Sequence, residues 1–265
     1  GLLFLFLPSV VESFMNCFYN VKLNYNDISR TFVGGQNFYD AFWSDTEYRV
    51  ILLNTIKGMI IDTIIIIFFS FFISNILNQK FKGRGISRTI FFLPFTISVT
   101  AGAIVWSYVF TDVYSPLTGN VSPLGLPSQV VPAMAIMASW RDMGYCMLIY
   151  IAALQTISQD FYEAATVEGA NAWQKFIHIT IPMIVPAFTT NITLILAWGL
   201  RTFDLPMVVA ANLQEGQTTA VYIYQSIFAN NKASLGQAAA IILTVILIVL
   251  TQIVTRVLRR LEVET

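Results

Sequence analysis

Five long apolar runs, at about 51–77, 89–110, 130–157, 182–203 and 235–257, govern what this chain can fold into. In hydrocarbon there is no water to satisfy backbone N–H and C=O groups, so a crossing segment must bond to itself, as a helix does. About 20 apolar residues cross the core of a bilayer, and each run reaches that length. The first of them holds Ile64, Ile65, Ile66 and Ile67 in succession, followed by Phe68 and Phe69. The opening stretch Leu2–Leu7 is apolar but is cut short by Glu12. It reads as the outer part of a first helix that begins before Gly1, and it lacks the basic region and small-residue cleavage site of a signal peptide. The expectation is an all-α, polytopic membrane protein of about six transmembrane helices, forming a single transmembrane domain over 1–265. Composition agrees: 11% of residues are charged and 56% hydrophobic, against about 25% charged in soluble domains.

Several function classes drop out. A formal net charge of zero gives no electrostatic support for a nucleic-acid partner. Cys17 and Cys146 lie far apart, and His178 has no neighbouring ligand set, so no metal is expected. No Gly-x-x-x-x-Gly-Lys-[Ser/Thr] phosphate loop occurs, so the chain is expected to have no catalytic residues and to bind no cofactor itself. Lys80, Lys82, Arg84 and Arg88 follow the second helix, and Arg256, Arg259 and Arg260 the last. Basic residues favour the cytoplasmic side, so both groups are expected inside, with both termini cytoplasmic. The segment at about 19–50, with Asp27, Asp40, Asp45 and Glu47, is expected outside.

The loop between the fourth and fifth helices carries its own pattern. Asp160 is expected to cap a short helix, with Glu163 reaching back as in a capping box. Gly169 allows the left-handed turn that ends it. Asn171 and Gln174 repeat the capping pattern, and Pro182 suits the first turn of the next membrane helix. The expectation is a helix–turn–helix over 158–181. Ala164 and Ala165 permit close approach by a partner, and Trp173 and Phe176 offer apolar anchors.

Glu163-Ala164-Ala165, then Gly169, Ile179 and Pro182, stand at the spacings of a known signature: Glu-Ala-Ala, three residues, Gly, nine residues, Ile-x-Leu-Pro. Ile181 takes the place of the usual Leu. On these residues the chain resembles the membrane (permease) subunits of ABC importers. Phe32–Phe38, Asn54-Thr55, Phe91–Pro94, Trp140, Phe203-Asp204, Thr218-Thr219 and Tyr222–Tyr224 extend the likeness to the sugar branch that includes the maltose and glycerol-3-phosphate transporters. Ala211–Gly216 and Ser158 depart from that branch's usual residues, and the ending Arg256–Thr265 looks like the first permease of such pairs. The resemblance implies a second homologous permease in a heterodimer, and two copies of an ABC ATPase that carry ATP and Mg. It also implies an extracellular or periplasmic solute-binding protein, a sugar or oligosaccharide solute, and a bacterial or archaeal cytoplasmic (inner) membrane. It assigns ATPase coupling to Glu163, Ala164, Ala165, Gly169, Ile179 and Pro182. An ion-coupled secondary transporter or channel subunit is the alternative.

Charges inside the spans are costly and mark function or pairing: Lys57, Asp62, Arg141, Asp142 and Arg201. Arg141 and Asp142 are expected to find partners on other helices. Sugars are held by aromatic faces and hydroxyl-matching polar groups. Trp140, Tyr145, Asn191, Trp198 and Tyr224 are the candidates for the solute pathway.

Overall fold

The computed structural model describes residues 2–24, 27–210 and 212–260. Gly1, Tyr25, Asn26, Ala211 and 261–265 lie outside the described residues, and with them parts of the first-helix, outer-loop and tail readings. The chain opens with helix α1 (Leu2–Asn16) and a short antiparallel hairpin, β1 (Tyr19–Asn24) with β2 (Asp27–Phe32), which the all-α expectation did not include. Helix α2 (Thr46–Asn78) follows, then α3 (Arg84–Thr96), α4 (Val99–Tyr108) and α5 (Val130–Thr156). Next come α6 (Gln159–Val167), α7 (Ala172–Lys175), α8 (Val185–Leu200), α9 (Asp204–Val209), α10 (Thr219–Tyr224) and α11 (Ala233–Arg259).

Among the described residues, Thr46–Asn78, Val185–Val209 and Ala233–Arg259 are long and apolar enough to cross a membrane. The expected continuous helix over 89–110 is instead broken: α3 and α4 meet at a 98° bend and make at most one span together. Ile97 at the break is extended, and the Ser98 hydroxyl caps α4 by accepting from the Ala101 N–H at 3.2 Å. Helix α5 has the length to cross, but Trp140, Arg141 and Asp142 sit at its centre and neighbouring helices enclose much of it. Its apolar face packs along α2 and α3, burying Val131, Met134, Met147 and Ile151.

Two kinds of contact fix the ends of the bundle. At one end Asp45 caps α2 by accepting from the Tyr48 N–H, and its other oxygen accepts from the Tyr222 hydroxyl of α10. The Thr55 hydroxyl lies 3.1 Å from that of Thr219, and the Val21 N–H donates to Ser234 at 3.0 Å, so hairpin, α2, α10 and α11 are pinned together. At the opposite end Leu154, Ile157 and Ile184 form a buried cluster against Phe71, Tyr162, Ile179, Met183 and Phe188. That cluster seats the 158–181 loop on the bundle.

Candidate functional site

A cavity of about 480 Å³ opens among α2, α3, α4, α5 and α8, within the range of small-molecule sites. The bend at Ile97 makes room for it, since Phe95 before the break and Gly102 and Trp106 after it all face the space. Phe95 lies 4.8 Å from Tyr145 and 6.2 Å from Trp198, centroid to centroid, and Tyr145 and Trp198 are 5.6 Å apart. Trp106 meets Trp140 edge-on at 5.8 Å. The wall is therefore a row of aromatic faces.

Charged groups interrupt it. Asp62 of α2 accepts from the Ser139 hydroxyl of α5 at 3.4 Å. Arg141 and Asp142 lie next to each other as an ion pair, Nε to Oδ1 at 3.4 Å with no hydrogen bond between them, where partners on other helices were expected for both. A long guanidinium stem can fold back along its own helix, and here it also lays the charge 5.5 Å from the centre of the Phe95 ring, a cation–π arrangement. Lys57, one turn and more away from Asp62 on α2, is exposed.

Of the five solute-pathway candidates, Trp140 and Trp198 line the cavity and Tyr145 backs its aromatic wall. Asn191 is fully buried, its amide donating to the Cys146 carbonyl at 3.1 Å, so it joins α8 to α5. Tyr224 is 41% exposed and sits between Phe203, which it meets edge-on, and Phe228, which it meets at a tilt. Sequence reasoning missed Phe95, Trp106 and Asp204 as lining residues. The signal for the first two was the Ser98 cap, which hides inside an apolar run.

The loop is a rigid helix pair. Its first helix starts two residues earlier than the sequence suggested: Ser158, rather than Asp160, is the cap, accepting from the Asp160 N–H at 3.3 Å and donating to its carboxylate at 3.1 Å. Glu163 accordingly does not cap. Its exposed carboxylate makes no hydrogen bond among the described residues. Gly169 turns the chain at φ +81°, a conformation other L-residues resist. Asn171 and Gln174 form the expected capping box, with bonds of 2.9 and 2.8 Å.

Cross-ties hold the two halves: Lys175 donates to the Thr166 hydroxyl at 2.7 Å, and the Tyr162 and Thr180 hydroxyls are 2.9 Å apart. Helix α7 then widens into a π-type turn at Phe176–Thr180, passes through Pro182, and reaches α8 across a single kinked residue, Ile184. Ala164, Ala165, Gly169 and Ile179 share one open cleft of about 460 Å³ between α6 and this segment. Phe161, Val167 and Trp173 project beside it, 52%, 89% and 67% exposed.

An apolar helical bundle with an aromatic-walled, charge-bearing cavity and a folded loop at one end is the architecture of a membrane transport subunit. The model of the binding-protein-dependent transport system inner membrane component family matches residues 66–263, and the chain belongs to that family. It is thus a permease, the membrane component of an ABC importer. It is 28% identical to the probable starch degradation products transport system permease protein AmyD of Thermoanaerobacterium thermosulfurigenes, over 99% of this chain and 92% of that one. It is 28% identical to the arabinooligosaccharides transport system permease protein AraP of Bacillus subtilis, over 94% of this chain and 82% of the relative. The trehalose/maltose transport system permease protein MalF of Thermococcus litoralis is 30% identical over 83% of this chain and 77% of its own length. Among solved structures, a bacterial ABC transporter for import of the acidic polysaccharide alginate superposes with a TM-score of 0.81 at 22% identity, covering 98% of this chain and 91% of that chain. That likeness establishes the shared fold.

Proposed function

We propose that the chain forms half of the translocation pathway for a sugar or oligosaccharide, paired with a second homologous permease and driven by two copies of a separate ATPase. The observation that carries this reading is the 158–181 loop. It presents Glu163 without an internal partner, at the signature spacing, beside a cleft of small residues and three exposed apolar side chains. An exposed carboxylate on a cross-tied helix pair, flanked by apolar side chains, is available to a docking partner. ATP and Mg reside on that partner.

The loop end of the bundle also gathers Lys80, Lys82, Arg84, Arg88, Arg256 and Arg259. This supports a cytoplasmic loop and cytoplasmic termini. Six crossings follow if α1, α2, the bent α3–α4 pair, α5, α8 with α9, and α11 each count once. The far end, with its hairpin, then faces an extracellular or periplasmic solute-binding protein; the alginate transporter has also been solved in complex with a pentasaccharide-bound periplasmic protein. Aromatic walls with interspersed acids suit a sugar ring, whose faces are apolar and whose rim is hydroxylated. The curated relatives named for starch products, arabinooligosaccharides and trehalose/maltose support the sugar class.

The test is co-purification of the tagged chain from its whole operon, followed by ATP hydrolysis with and without sugar-loaded binding protein. Recovery of an ATPase and a second permease, with hydrolysis stimulated by one sugar, is expected. Ion-driven transport by the chain alone in vesicles would instead establish the secondary-transporter reading. Within the complex, Glu163→Gln keeps the shape and removes the charge. Stimulated hydrolysis is expected to fall by about tenfold, since bonds to charged groups are worth about 1.5–3 kcal/mol. Trp198→Ala is expected to weaken solute binding by about tenfold through loss of one stacking face, read as transport KM with the protein still correctly assembled.

A further inference from the structure

The charges lining the cavity bear on which solutes it admits, an argument that rests on the cavity being the solute pathway. Three carboxylates, of Asp62, Asp142 and Asp204, and two guanidinium groups, of Arg141 and Arg201, line it. Arg201 and Asp204 are exposed at its mouth. Deeper in, Arg141 is the one cation, its Nε 3.4 Å from Asp142 without a hydrogen bond and its charge 5.5 Å from the centre of the Phe95 ring. Asp62 has no basic partner among the described residues. One of its oxygens accepts from Ser139 at 3.4 Å and the other accepts no hydrogen bond among them.

An ionised carboxylate only accepts, so a group that settles against ionised Asp62 must donate. Sugar hydroxyls donate. A uronate carboxylate cannot, and it adds negative charge to a lining where three carboxylates already outnumber two guanidinium groups; like charges set together are unfavourable.

We propose that this cavity admits uncharged polyhydroxyl solutes and rejects uronates, with Asp62 as the specificity-determining residue. The fold shared with an importer of an acidic polysaccharide then carries no preference for acids, because preference lies in the lining side chains.

The experiment uses the complete transporter, purified in detergent and free of binding protein, so that the cavity itself is read. Intrinsic fluorescence reports on Trp106, Trp140 and Trp198 in its wall. The probes are the neutral trisaccharides of galactose, glucose and arabinose, and trigalacturonate, which differs from galactotriose only at C6. At least one neutral trisaccharide is expected to quench, with trigalacturonate binding at least about tenfold more weakly. Asp62→Asn keeps the size and the Ser139 contact, and is expected to close most of that gap. Asp142→Asn frees Arg141 and is expected to raise uronate affinity independently, so the conclusion does not hang on one variant folding. Trigalacturonate binding as tightly as the neutral sugars in the unaltered protein would overturn the proposal. So would a gap unchanged in both variants. If no trisaccharide of either kind binds, the sugar pathway itself fails, a result distinct from loss of selectivity alone, and the proposal falls with it.

Discussion

Placing a methyl group on Gly144 is expected to prevent stable assembly of this bundle. A Cβ there would stand 2.0 Å from the Phe91 carbonyl oxygen and 2.9 Å from the Phe92 Cα. Both are backbone atoms of α3, so no side chain can swing aside, and α3 must move away from α5 along its length. Overpacking of an interior typically costs about 1–3 kcal/mol, and the upper end or beyond applies where the obstacle is main chain. Small residues at such crossings are how membrane helices approach each other closely. The measurement is the thermal midpoint of the purified complex by size-exclusion survival. Gly144→Ala is expected to show little or no folded peak. Gly35→Ala, where nothing lies within 4 Å and the backbone is ordinary, should match the unaltered protein. A Gly144→Ala protein of normal stability would mean that α3 and α5 do not cross at this contact.

The second large effect is expected at Trp173. Its ring stacks on Phe176 at 5.8 Å, and Phe176 in turn stacks on Phe71 of α2 at 6.0 Å. The outer face stays open, 67% exposed. A rigid, backed aromatic of this kind is typical of the few residues that dominate an interface. Trp173→Ala is expected to weaken ATPase binding by about 2 kcal/mol, roughly thirtyfold, read by titrating the ATPase onto immobilised permease pair. The thermal midpoint should barely change, because so little of the ring is buried. Unchanged ATPase affinity would place the docking surface elsewhere than the loop tip.

Much of this was legible in the chain before folding, and the reasons differ by element. The long runs read as helices because hydrocarbon leaves a backbone no other option. The turn at Gly169 and the Asn171–Gln174 box read correctly because both are local: a left-handed φ and a reciprocal pair of bonds depend on residues within three positions. The start of α6 was misplaced because Ser158 and Asp160 are both good caps, and the choice turns on where Ile157 must sit in the cluster with Leu154 and Ile184. The 98° bend escaped because Ile97-Ser98-Val99 looks like any apolar stretch. A lone serine caps a helix only when tertiary packing already favours the break. One side of the cavity wall, Phe95, Val99, Gly102, Ala103 and Trp106, depends on that bend, so Phe95 and Trp106 escaped with it. The Arg141–Asp142 pair was misjudged because adjacency on a helix constrains Cβ directions, not the end of an arginine.

Helix α8 begins beside the loop and ends in the cavity. From Ile184 to Trp198 it rises about 21 Å at 1.5 Å per residue. The kink at Ile184 is fully buried and sits where a pivot for α8 would lie. A tilt of about 10° there would carry the Trp198 ring by about 4 Å, the length of such a lever times the angle. That displacement exceeds the thickness of an aromatic face, so a small stroke at the docking surface is enough to build or dismantle the stacking wall. A lever of this shape trades force for travel: a short movement at the loop becomes a longer one at the cavity.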